Sequence, residues 1–359
     1  IPSGDGDKPA TCENLGYPSN QRPFWFMKKI LLTFLGLLIF CNIPVNAKSI
    51  SDQKDEEFCL PKDISKGFGC VWKVGHRTKG LGHQIQIVSK EDGHPVRIGK
   101  KSIRFEVRPG ECGGTFDGSK VKGESGYQPN NDCEREHKSE RAEIYSKYFT
   151  LGEKWYSWSI YIPDGQERFK PASLKMGQFH SKLHQKYIQQ AHFEHNDGKY
   201  TFNNMVCGGE CESRSIDPIG KWTDILINVK WSHKKSGFYK VWANGKIIYD
   251  YSGPTIYEKK NKAYLKIGIY RNQVNLLWAS GSDGGTTVVY YDNIRTGKTM
   301  NSVIGNLDYN VETEYQKTEA ELIQDEIAVL TAKVRKNYDA EISRKINKLK
   351  KKLRRLESN

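Results

Sequence analysis

Between Phe58 and Gly297, apolar and polar residues alternate with a period of two in one short run after another. In KSIRFEVRPG, Ile103, Phe105 and Val107 alternate with Ser102, Arg104 and Glu106. In KWYSWSIYIPDG, Tyr156, Trp158, Ile160 and Ile162 do the same, and the run stops at Pro-Asp-Gly. Successive side chains of a strand point to opposite faces, so each run predicts a strand with one buried side. YKVWANGKIIYD predicts a hairpin turning at Asn244-Gly245, a pair that tolerates the positive φ of tight hairpin turns. TTVVYYDNIRTG reads as a last strand. Many strands, regular turns and few helical stretches predict an all-β domain, a β-sandwich of jelly-roll type.

The pattern changes near Thr318. Ile323, Ile327, Leu330, Val334, Tyr338, Ile342, Ile346, Leu349, Leu353 and Leu356 recur at spacings of three and four. That is an apolar helical stripe with an irregularity in its middle. Residues 316–359 are therefore read as a charged amphipathic helical tail of coiled-coil character. It is either a solvated helix or hairpin, or a coiled coil through which the protein oligomerises, or a basic helix for an anionic surface. At the other end, MKKILLTFLGLLIFCNIPVNA has two lysines, a short apolar run and small residues at its close. Residues 27–47 read as a secretory signal peptide, too short in its apolar run for a membrane span. The protein is thus expected to be secreted or periplasmic. Residues 1–26 carry no usable pattern and are read as an upstream extension, leaving 48–315 as the folded domain.

Charge and cysteines refine this picture. The chain of 359 residues carries a net charge of +14. The domain 48–315 alone holds 40 basic and 32 acidic residues, so the excess is not confined to the tail. A basic surface points to an anionic partner without naming it. Beyond the signal peptide six cysteines remain: Cys59, Cys70, Cys112, Cys133, Cys207 and Cys211. An even count in an exported chain favours disulfides, most simply between neighbours, although six cysteines admit fifteen pairings.

Three of the predicted strands show polar groups on one face. SERAEIY places Arg141, Glu143 and Tyr145 together; GQFHSK places Gln178, His180 and Lys182 together; AYLKIGIYRN places Lys266, Gly268 and Tyr270 opposite Leu265, Ile267 and Ile269. Pooled on one sheet, these groups suit β-elimination on a uronic acid chain. The C5 proton becomes acidic once the adjacent carboxylate charge is neutralised, which Arg, Lys or an amide can do. His or Tyr can remove that proton and protonate the departing C4 oxygen. The scheme needs no metal or other cofactor.

Together SERAEIY, GQFHSK and YLKIGIYRN resemble the motif set of jelly-roll polysaccharide lyases. With KWTDILINVKWS, VWANGK and YYDNIRTG, the chain best resembles the glucuronan lyase and heparin lyase I group, from about Phe58 to Gly297. The motifs are also similar to those of alginate lyases with a Gln-x-His signature. That family's third strand ends Tyr-x-Gln, whereas here Tyr270 precedes Arg271 and Asn272, so alginate is the poorer fit. The resemblance implies that His180 and Tyr270 transfer protons, that Arg141 and Gln178 bind the substrate carboxylate, and that Lys266 supports them. Glu143, Lys182 and Arg271 complete the expected substrate contacts. The resemblance also allows a structural calcium ion, for which no motif supplies ligands.

Other readings are weaker. A carbohydrate-binding module of the same fold would use the cleft for capture alone, and paired His180 and Tyr270 argue for catalysis instead. A jelly-roll glycoside hydrolase needs two carboxylates across the cleft, and no strand carries a Glu-x-Asp-x-x-Glu pattern. His180, His184, His192 and His195 lack the Glu of the zinc-protease motif. Export argues against a nucleic-acid partner. The expected partner is an acidic polysaccharide.

Overall fold

The computed structural model describes residues 48–49, 57–74, 81–112, 132–134, 138–147, 151–166, 169–181, 189–207, 211–259, 262–305, 307, 310–314, 318–336 and 340–357. Residues 1–26, expected to be an extension, residues 27–47, expected to be a signal peptide, and Lys182 and His184 lie outside the described residues.

Among the described residues, fifteen strands form two sheets, antiparallel except for one short parallel pairing inside the larger sheet. Along the chain they are β1 (Lys48–Ser49), β2 (Ser65–Lys66), β3 (Lys73–Val74), β4 (Ile85–Ser89), β5 (Lys101–Val107), β6 (Ser139–Tyr145), β7 (Gly152–Tyr161) and β8 (Ser173–Ser181). There follow β9 (Gln189–Asn196), β10 (Lys199–Asn204), β11 (Trp222–Trp231), β12 (Phe238–Ala243), β13 (Lys246–Ser252), β14 (Ala263–Asn272) and β15 (Thr287–Gly297). One sheet runs β1-β4-β5-β15-β7-β11-β12-β13, with β2 against β15; the other runs β10-β9-β8-β14-β6-β3. This is the β-sandwich jelly roll that the alternation predicts.

The alternating residues build the core as expected. Ile103, Phe105 and Val107, and Tyr156, Trp158, Ile160 and Ile162, are all buried. From the six-stranded sheet, Leu265, Ile267 and Ile269 meet them, with Phe179 and Phe193. Aromatic rings join the layers: Phe179 lies 5.1 Å from both Tyr156 and Trp231, and Trp158 meets Phe193 edge-on at 5.3 Å. Such pairs add to the apolar area they remove from water. The hairpin turns at Asn244 and Gly245, both with positive φ.

Three disulfides join neighbours in sequence, Cys59–Cys70, Cys112–Cys133 and Cys207–Cys211. Beyond the sandwich, two short helices, α1 (Val274–Ala279) and α2 (Met300–Ile304), precede the tail. The tail is two helices, α3 (Glu319–Lys336) and α4 (Ala340–Glu357), in contact with each other. Lys345 pairs with Glu326 at 2.8 Å and Lys352 with Glu319 at 2.6 Å, so the pair is a hairpin. The mid-stripe irregularity falls between them. Among the described residues, no helix is long and apolar enough to cross a membrane.

Candidate active site

The three polar-faced strands are neighbours: β8, β14 and β6 lie side by side in the six-stranded sheet. Their register sets the site. Across β14 and β8, Tyr264 faces His180, Lys266 faces Gln178 and Tyr270 faces Lys175. Across β14 and β6, Lys266 faces Tyr145, Gly268 faces Glu143 and Tyr270 faces Arg141. His180 and Tyr270 therefore flank the central Gln178–Lys266 pair.

The side chains form two tiers. The lower tier is almost dry: Arg141 is 7% exposed, Lys266 4%, Glu143 2% and Gln178 1%. Glu143 organises it. One carboxylate oxygen accepts from Gln178 Nε2 at 2.6 Å and the other from Lys266 Nζ at 2.6 Å, with Arg141 Nη1 at 3.8 Å. Gln178 Oε1 accepts from Gln189 Nε2 at 2.6 Å, so both ends of this amide are engaged. Arg141 is held by Asp132 through Nε and, at 2.6 Å, through Nη2. Asp132 comes from a single 3-10 turn, Asp132–Glu134, whose Cys133 is tied to Cys112. Gln178 and Lys266, expected as direct substrate contacts, thus lie beneath the surface and already bonded.

The upper tier is half-buried: His180, Tyr264, Tyr270, Lys175, Gln189 and Glu194. His180 Nδ1 lies 3.3 Å from the Tyr264 hydroxyl. Burial holds the His180 pKa well below its ordinary value, and the nearby charges of Lys266, Arg141 and Lys175 push the same way. The imidazole is therefore neutral at neutral pH. Tyr270 donates to Asn272 Oδ1 at 3.1 Å, and its ring lies under the Arg141 guanidinium, 4.6 Å away. Lys175 Nζ stands 5.8 Å from the same ring and donates to Gln189 Oε1 at 3.1 Å. On β9, His192 Nε2 lies 3.4 Å from Glu194, and burial lowers the His192 pKa.

Arg271 does not belong to this face, which corrects its grouping with the substrate contacts. It is in phase with Leu265, Ile267 and Ile269, is fully buried, and pairs with Glu140 at 3.0 Å. Its remaining donors reach the carbonyls of Gly285 at 2.7 Å and Asp283 at 2.6 Å. It braces the loop before β15. Lys182 lies outside the described residues.

Sequence reasoning did not single out Lys175, Tyr264, Gln189 or Asp132. Tyr264 carried a usable signal, being in phase with Lys266 and Tyr270. Among the described residues, no three His, Cys, Asp or Glu side chains gather to hold a metal ion, so no calcium site is derived. A cavity of about 420 Å³ lined by Trp155, Trp242, Lys240 and Asp250 opens on the other sheet and takes no part in this site.

The family model for polysaccharide lyases matches residues 72–295, and the chain belongs to that family. It is a polysaccharide lyase. No curated protein matches the chain. Among solved structures, it is similar to an endo-β-1,4-glucuronan lyase from the fungus Trichoderma reesei, at 14% identity and a TM-score of 0.45, covering 65% of this chain and 96% of that one. It is also similar to a marine alginate lyase from Zobellia galactanivorans, at 12% identity and 0.41, covering 64% and 95%. A glycoside hydrolase family 131 catalytic domain from Coprinopsis cinerea aligns at 8% identity and 0.39, covering 68% and 87%.

Proposed function

We propose that this lyase cleaves a uronic-acid-containing anionic polysaccharide, of the glucuronan or glycosaminoglycan kind, by β-elimination. The observation that carries the reading is His180. Its imidazole is kept neutral by burial and by three cations, and it shares a sheet face with Tyr270. A neutral imidazole surrounded by positive charge is a base poised for an acidic carbon next to a carboxylate.

In this scheme a uronate unit sits over the Gln178–Lys266 pair, with His180 on one side and Tyr270 on the other. His180 takes the C5 proton through Nε2 while Nδ1–H donates to the Tyr264 oxygen. The C5–H electrons form the C4=C5 double bond, the C4–O4 bond breaks, and O4 takes the proton of the Tyr270 hydroxyl. Arg141, whose Nε and Nη2 are held by Asp132, adds its positive charge to the site and stabilises the developing enolate charge. Glu143, Gln178 and Lys266 hold the frame, and no metal enters the scheme. Three disulfides and the sequence of residues 27–47 support action outside the cytosol.

The test is ultraviolet absorbance during incubation with glucuronan, alginate, heparin, heparan sulfate and polygalacturonate. Elimination conjugates a C4=C5 double bond to the carboxylate; hydrolysis does not. Absorbance on one polymer, lost in His180→Ala and Tyr270→Phe, is expected. Absorbance that survives both substitutions would refute the assigned roles.

A further inference from the structure

The cations of this sheet face are not equivalent. Arg141 is bound by Asp132, and Lys266 by Glu143. The two positive charges are cancelled by two negative ones before any substrate arrives. To grip a substrate carboxylate fully, either cation would have to release a buried partner, leaving that carboxylate uncompensated.

Lys175 differs. Its Nζ donates to an amide oxygen, Gln189 Oε1. Among the described residues, no carboxylate oxygen lies within ion-pair distance of it. Glu194 is its register partner on β9, but that carboxylate takes Asn196 Nδ2 at 2.7 Å and faces His192. Burial lowers the Lys175 pKa, and the Glu194 and Glu143 carboxylates, near but not in contact, pull the other way. The side chain is half-buried, stands beside the Tyr270 ring, and shares the upper tier with His180.

We propose that Lys175 is a catalytic residue that receives the substrate's uronate carboxylate. An incoming carboxylate pairs directly with an ammonium that no carboxylate among the described residues contacts, and gains a cation without displacing an internal pair. Bound there, the carboxylate lies next to Tyr270, and the ammonium neutralises the charge that otherwise keeps the C5 proton from leaving. The proposal rests on the acid-sugar reading above and adds the group that recognises the acid.

The experiment uses the full chain, the polymer that gives the strongest absorbance, and the same polymer with its carboxyl groups reduced to alcohols. Lys175→Met, Lys175→Gln and Lys175→Arg are compared with the parent for elimination rate and for binding to both polymers. Lys175→Met and Lys175→Gln are expected to lose about 10²- to 10³-fold in kcat/KM, the usual effect of removing one charge-stabilising donor. Both are also expected to lose the preference for the carboxylate polymer, while Lys175→Arg recovers part of each property. Unchanged turnover, or an unchanged preference for the carboxylate polymer, in both neutral variants would overturn the assignment and leave the acid-sugar reading standing. A parent protein silent on every polymer would overturn the acid-sugar reading and this assignment together.

Discussion

The ammonium of Lys266 stands 2.6 Å from a carboxylate oxygen of Glu143, and both side chains are almost wholly removed from water. A buried pair of this kind adds little over an apolar one, but breaking it strands a charge at a cost of about 3–5 kcal/mol. Glu143→Ala also takes away the acceptor of Gln178 Nε2. We therefore expect Glu143→Ala to lower unfolding stability by about that amount in urea titrations. The double variant Glu143→Leu with Lys266→Met should recover most of the loss. A double variant as unstable as the single one would mean that packing, not the stranded ammonium, sets the penalty.

The pH behaviour of His180 follows from its surroundings. Its pKa is lower in the folded state than in the unfolded one, chiefly through burial. The unfolded chain thus takes up the proton first as pH falls. Stability contributed by neutral His180 is present above the ordinary value of 6.5 and is lost progressively below it. The same shift keeps the base competent at lower pH. The acid limb of a kcat/KM profile should fall below 6.5, and His180→Ala should lose about 10²- to 10⁴-fold. A limb above the ordinary histidine value would exclude His180 as the base in this environment.

Tyr270→Phe separates chemistry from folding. Among the described residues, the half-buried hydroxyl bonds to Asn272 and, at 3.4 Å, to Ser139. The ring under Arg141 remains after substitution. Thermal stability should move by no more than about 1 kcal/mol, the worth of an ordinary hydrogen bond. Turnover should fall about 10²- to 10⁴-fold if the phenol delivers the leaving-group proton. Equal losses in polymer binding and in turnover would make Tyr270 a binding group instead.

Much of this was legible in the sequence, and the misses have local causes. Strict alternation carried the core, the hairpin and the shared face of β6, β8 and β14. Counting back by two from His180 and Gln178 turns Met176 outward and Lys175 inward. The structure does the reverse, burying Met176 and showing Lys175 to the site. Gly177, at φ 102°, sits in a bulge that shifts register against both neighbours between Lys175 and Gln178. A bulge flips the phase of every residue beyond it, and periodicity alone cannot announce one. Asp132 escaped notice for another reason: it reaches Arg141 from a non-periodic turn. Arg271 is the opposite case, since its odd position put it in phase with Leu265 and its charge outweighed that parity.

The tail is expected to be dispensable for catalysis. Its interhelical ion pairs are exposed, and such pairs contribute about 0–1 kcal/mol each. Arg214 Nε ties the hairpin to the sandwich through Glu321 at 3.1 Å, and no residue of the upper tier lies in the tail. A chain ending at Lys317 should eliminate at the parent rate. A large drop in kcat with stability unchanged would place the tail in the mechanism.

Gly268 tests whether the frame of the site depends on close backbone approach. It lies on β14 between Lys266 and Tyr270, opposite Glu143, at φ 125°. A Cβ there would run into the Ala142 carbonyl oxygen and come within 2.9 Å of the Glu143 Cα and 3.0 Å of the Phe105 ring. Neither backbone contact can swing aside, and the positive φ already disfavours any side chain. Gly268→Ala must therefore push β14 from β6, at a cost of about 1–3 kcal/mol for overpacking. The same movement carries Tyr270 away from Arg141 and Lys266 away from Glu143. We expect activity to fall well beyond the fraction unfolded, measured by absorbance against a thermal melt on one preparation. A variant that folds less stably but turns over normally when folded would show that the site tolerates this displacement. The Lys266–Glu143 and Arg141–Tyr270 spacings would then not be what limits the rate.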